Sequence, residues 1–87
     1  MPFSAPAENC YRIRLWGAGR AVKLTRLYGP DIEQAAGFVQ HLLRDALRLD
    51  PSVSTCFYYE RTPVASEFVI RCGKKRIKVR LELCVEG

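Results

Sequence analysis

Apolar and polar residues alternate with a period of two through the stretch 75–85. Ile77, Val79, Leu81, Leu83 and Val85 share one parity, and Arg76, Lys78, Arg80, Glu82 and Cys84 share the other. A half-buried β-strand requires this pattern, because successive side chains point to opposite faces. Such a strand extends about 36 Å. Its apolar parity is aliphatic and partly β-branched, so it is expected to form the spine of the core.

The same period recurs upstream. Tyr11, Ile13 and Leu15 alternate with Arg12, Arg14 and Trp16, and Gly17-Ala18-Gly19 then signals a turn into a second strand over residues 21–28. A tight turn centred on Ala18-Gly19 sets Leu15 opposite Val22 and Ile13 opposite Leu24. It also sets Arg14 beside Lys23 on the outer face, two like charges in direct opposition, which disfavours pairing.

Between residues 31 and 50 the period changes. Ile32, Ala35, Val39, Leu42, Ala46 and Leu49 recur at helical spacing, with Ala36 and Leu43 broadening the stripe. Asp31 is placed to cap this helix, with Gln34 at the capping-box position, and Asp50-Pro51 ends it. About 19 residues of helix span roughly 28 Å.

Alternation returns in Thr55–Arg61 and Glu67–Cys72. A loop at 62–65 pairs Tyr59 with Phe68 and Phe57 with Ile70 on the core side, and turns Cys56, Tyr58, Val69 and Arg71 outward. The Gly73-Lys74 turn then pairs Ile70 with Ile77 and Phe68 with Val79. Two turn choices that agree on one core support a meander. The expected fold is α+β: a mostly antiparallel sheet of about five strands, in chain order β-β-α-β-β-β, with one long helix packed on one face. Residues 1–9, with two prolines, are expected to form a flexible tail, and residues 10–87 a single domain.

Composition adjusts this picture in two ways. Hydrophobic residues make up 48% of the chain and charged residues 26%, the balance of a globular protein rather than a disordered one. The net charge of +5 is unevenly placed: residues 11–28 carry +5 and residues 51–87 carry +3, while the helical segment 31–50 carries −2. The strands therefore hold the positive charge, which points to an anionic partner.

One helix covers only one face of a sheet, so the other face meets solvent or a partner. By the registers above, that face carries Arg12, Arg14, Lys23, Arg71, Arg76, Lys78 and Arg80, together with Trp16 and Tyr58. Lys74 and Lys75 extend it into the basic Gly73–Arg76 corner. Cations neutralise phosphates and aromatic rings stack on bases, so the mixture suits nucleic acid. An acidic protein surface would satisfy the same cations, and a plain solvated face, with Arg and Lys stems covering apolar neighbours, would need no partner. A small inhibitor or adaptor that docks on a larger host complex, of the kind phages and mobile elements encode, is the alternative reading. A homodimer paired at a sheet edge is a third.

Little in the chain suggests catalysis. His41 falls on the polar side of the helix with no assignable carboxylate or hydroxyl partner, and the acids are scattered. Zinc takes about four N or S ligands, usually as close pairs, whereas Cys10, Cys56, Cys72 and Cys84 are dispersed. No metal or cofactor is expected. The N-terminus lacks the basic and apolar segments of a signal peptide, and no run approaches the length of a membrane span, so a reducing cytoplasm with idle thiols is expected. Leu81→Asp tests the parity assignment. A charge where the spine strand meets the helix costs several kcal/mol and should abolish folding. Circular dichroism and thermal melting check this, and a folded spectrum with unchanged melting would overturn the assignment.

Overall fold

The computed structural model describes residues 8–20 and 22–84. Five strands and one helix follow in the order β1 (Asn9–Trp16), β2 (Arg26–Gly29), α1 (Ile32–Ala46), β3 (Ser54–Arg61), β4 (Ala65–Cys72) and β5 (Lys75–Leu83). The strands form one antiparallel sheet in the order β2-β1-β5-β4-β3. The strand with the clearest alternation, β5, is central. Ile77, Val79 and Leu81 are each 0% exposed.

α1 links the two edge strands, so it must cross the whole sheet. Four interstrand steps measure about 19 Å, and fifteen residues of helix measure about 22 Å. The helix buries Ile32, Ala35, Ala36, Val39 and Leu43 against Tyr11, Ile13, Phe68, Ile70 and the three β5 residues. Asp31 caps it as expected, its carboxylate accepting from the Gln34 N–H at 2.8 Å. The buried stripe runs through Leu43 rather than Leu42 and Ala46, which are half-buried and exposed.

The helix ends earlier than Asp50-Pro51 implies. Arg48 adopts φ 52°. Its N–H donates to the Asp45 carbonyl, and the Leu49 N–H donates to the Arg44 carbonyl at 2.8 Å. This is a Schellman closure, and it folds Leu49 back to a buried position. Burying Leu49 thus ends the helix before the proline acts.

Two registers differ from expectation. β1 pairs β2 as Tyr11↔Leu27 and Arg12↔Arg26, and the Ile13 N–H donates to the Thr25 carbonyl. This is one residue away from the tight-hairpin register, and the paired part of β2 begins only at Arg26. The cause lies at Gly17, with φ 86°, where an added Cβ would overlap the Arg76 carbonyl oxygen. Ala18 is also buried. The chain thus drops across the end of β5 before it returns, and Lys23 lies exposed on the connection rather than in a strand. Val22 and Leu24 still pack against the core edge.

In the second case, β3 pairs β4 as Arg61↔Ser66 and Glu60↔Glu67 near the loop, then as Tyr58↔Phe68 and Cys56↔Ile70. A bulge between Tyr58 and Glu60 shifts the register by one, and a one-residue shift exchanges the faces. Tyr58 therefore lies on the helix side and Phe57 and Tyr59 lie outside, the reverse of the sequence expectation. By contrast, Ile70↔Ile77 and Phe68↔Val79 pair as expected. Of the 1–9 tail, residues 1–7 lie outside the described residues, and Asn9 already belongs to β1. Val85 also lies outside them.

Arg48 provides a test. A side chain in the left-handed region costs about 1 kcal/mol that glycine does not. Arg48→Gly should raise the melting temperature by about 4–8 °C, and calorimetry would show it.

Candidate functional site

The open face of the sheet is built by the parities that α1 leaves uncovered. β1 contributes Arg12, Arg14 and Trp16. β5 contributes Arg76, Lys78, Arg80 and Glu82. β4 contributes Glu67, Val69 and Arg71, and β3 contributes Phe57 and Tyr59. Of the residues expected here, Arg12, Arg14, Trp16, Arg71, Arg76, Lys78 and Arg80 share this face. Lys74 lies exposed in the β4–β5 turn, and Lys75 is exposed at the first position of β5, opposite Cys72.

Tyr58 does not belong to it. Its hydroxyl accepts from Gln40 Nε2 at 2.7 Å, its ring tilts against Phe68 with centroids 5.2 Å apart, and Arg61 lies 4.5 Å over it. Burial pushes its phenol above the ordinary value, against the Gln40 bond. Arg61 in turn holds Glu33 of α1 through two hydrogen bonds of 2.9 and 2.8 Å. The Glu33 carboxyl is lowered chiefly by that hydrogen bonding. Tyr58 and Arg61 therefore tie β3 to the helix.

A groove of about 460 Å³ crosses the open face. Trp16 and Tyr59 line it from β1 and β3, 45% and 63% exposed. Between them lie Val69, Glu67 and Lys78, and Arg76 lines it at the end near the β4–β5 turn. Lys78 Nζ sits 5.1 Å from the centre of the Trp16 ring, a cation–π contact that holds the indole and keeps a charge beside it.

Charge on the face is sorted by register. One row reads Arg14↔Arg80↔Glu67↔Glu60 across four strands. Arg80 is held by Glu60 at 2.8 Å, Glu82 at 3.2 Å and Glu67 at 3.4 Å. Hydrogen bonding to Glu60, then to Glu82, raises its guanidinium further into the charged range. Arg80 is thus already neutralised, and the expectation that it offers an open charge is corrected. Lys78 has a looser contact, 3.8 Å to Glu67.

Two other like-charge pairs, Arg71↔Arg76 and Arg12↔Arg26, have no carboxylate within 4.0 Å among the described residues. Like charges in direct opposition disfavour a sheet, and a bound anion would relieve them.

The sequence reading missed Tyr59, the three glutamates around Arg80, and the pairing of Arg12 with Arg26. The β4 and β5 alternation does place Glu67 and Glu82 on the outer parity. Nothing local distinguishes Phe57, Tyr58 and Tyr59, because all three residues suit either face. Among the described residues no group of three or more His, Cys, Asp or Glu is placed to hold a metal ion, and no helix is long and apolar enough to cross a membrane. His41 is exposed on α1.

No family model matches the chain, and no curated protein or solved structure matches it either.

The Arg80 cluster can be tested directly. Arg80→Ala leaves Glu60, Glu67 and Glu82 facing one another and should lower the melting temperature. The loss should shrink at about 1 M salt, where charges are screened over about 3 Å, and Glu67→Gln in the same chain should restore part of it. A loss independent of salt would assign Arg80 to packing instead.

Proposed function

We propose that the protein is a non-catalytic binding module whose open sheet face engages nucleic acid, mainly through phosphates. The observation that carries this reading is the groove between Trp16 and Tyr59, with Lys78 within it and the Arg71↔Arg76 pair at its end. Its exposed aromatic rings suit an unstacked base, which such a ring can hold whatever the sequence. The adjoining arginines suit the phosphates that flank such a base. Single strands are the natural ligand, because bases in a duplex are not free to enter a groove. Arg12, Arg14 and Arg26 extend the positive surface toward the opposite edge.

A second reading has its own observation. β3 is an eight-residue edge strand, and Phe57 and Tyr59 stand exposed on it. A free edge beside aromatic anchors suits a protein that adds a strand or docks on the face. This is how a small inhibitor or adaptor acting on a larger protein or nucleoprotein complex would bind, and exposed Trp, Tyr and Arg are common anchors of such contacts.

Trp16 is the one tryptophan of the chain, so its fluorescence reports the groove directly. An unstructured oligonucleotide should quench it and bind with a salt-dependent affinity. Arg71→Ala with Arg76→Ala should reduce the salt slope by about 1.4, at about 0.7 per contact. Tyr59→Ala should cost about 1–3 kcal/mol of binding while leaving the slope unchanged. Absence of binding at about 50 mM salt, where electrostatic attraction is strong, would end the nucleic-acid reading. A nuclease-resistant, stoichiometric protein partner lost on Tyr59→Ala would establish the second.

A further inference from the structure

Cys10 is the second residue of β1, and Cys84 directly follows Leu83 at the end of β5. The register Tyr11↔Leu83 places the two cysteines opposite one another at the next step. The Cys84 N–H donates to the Cys10 carbonyl at 2.9 Å. This is a hydrogen-bonded position of an antiparallel ladder, where Cα atoms stand about 5.5 Å apart. A disulfide commonly spans about that distance, roughly 5.5–6 Å between Cα atoms. The ladder position therefore falls within the range that a disulfide spans.

Both side chains have the parity of the open face, and both are partly exposed. The neighbouring Cys10 thiol, ahead of burial, holds the Cys84 thiol above its ordinary value. Arg26 and Arg12 act in the opposite direction. Partial exposure beside cations is the setting in which thiols react. Cys56 and Cys72 differ: they lie on the helix side, packed against the core, and burial pushes Cys56 up.

We propose that Cys10 and Cys84 are a modification site, a thiol pair that closes to a disulfide by exchange with a low-molecular-weight disulfide such as oxidised glutathione. The Cys10 thiolate attacks one sulfur of the glutathione disulfide. A mixed disulfide forms on Cys10 and one glutathione thiolate leaves. Cys84 then gives up its proton and attacks the Cys10 sulfur. The Cys10–Cys84 bond forms and the second glutathione thiolate leaves. Two protein thiols lose two electrons and two protons, and one glutathione disulfide becomes two glutathiones. The bond staples the first strand to the last and closes a ring around nearly all of the described chain. A ring that large strongly restricts the unfolded state.

The test uses the full chain, folded, exposed to excess oxidised glutathione, then quenched with N-ethylmaleimide and mapped by peptide mass spectrometry. Cys10 and Cys84 should be found joined, with Cys56 and Cys72 alkylated as free thiols. The melting temperature should rise by about 10 °C or more over the reduced protein. Cys84→Ser should instead accumulate a stable glutathione adduct on Cys10. Four alkylated thiols in the exposed wild type, a Cys56–Cys72 bond in place of the expected one, or a Cys10–Cys84 bond that leaves melting unchanged would overturn the proposal.

Discussion

The burial of Ile77, Val79 and Leu81 beneath α1 is the contact on which the other features depend. These three residues occupy the middle of the middle strand and are 0% exposed. β1 and β4 pair with β5 on its two sides, and the ladder aligns Ile13 with Leu81 and both Phe68 and Leu15 with Val79. Once one parity of β5 is committed to the helix, the parities of its neighbours follow. Slipping any of them by one residue would turn its apolar set toward solvent.

That commitment also creates the open face. A single helix fifteen residues long crosses the sheet once and leaves the far side without cover. Cations on β1, β4 and β5 must therefore share that side at interstrand distances of about 4.8 Å. The protein handles this crowding in two ways. In the row through Arg80, three glutamates converge and the charge is satisfied internally. The Arg71↔Arg76 row has no carboxylate among the described residues, and in the Arg12↔Arg26 row Glu82 stands opposite Arg12 but bonds Arg80 instead; these rows stand near opposite ends of the sheet. The middle of the face is thus mixed in charge and the ends are positive, with the Trp16–Tyr59 groove toward one of them.

Chain topology determines which side chains meet. Because β5 inserts between β1 and β4, the first and last strands become neighbours, and Cys10 meets Cys84 across most of the sequence. The same insertion leaves β2 and β3 as the two edges. β2 has four paired residues and β3 has eight, so the longer free edge lies beside Tyr59 and Phe57.

The sequence alone determined the element order, the helix start at Asp31, the β4–β5 register and the parity of β5. These depend on local signals: a cap, a glycine turn, and a period of two or of 3.6 that one element displays by itself. It also placed Arg12, Arg14, Trp16, Arg71, Arg76 and Lys78 on one face, because each lies on a strand whose apolar parity is unambiguous. Tertiary structure decided what depended on a second element. Tyr58 turned inward because a bulge at Tyr59 let its hydroxyl reach Gln40 on α1, and three adjacent aromatics carry no parity signal of their own. The β1–β2 register moved because Gly17 packs against the Arg76 carbonyl, a contact between residues far apart in the chain. Helix termination at Arg48 depended on burying Leu49 in a core that exists only after folding. The fate of Arg80 and the meeting of Cys10 with Cys84 required strand order, which side-chain alternation does not encode, since an alternating strand pairs equally well with any neighbour that presents the matching face.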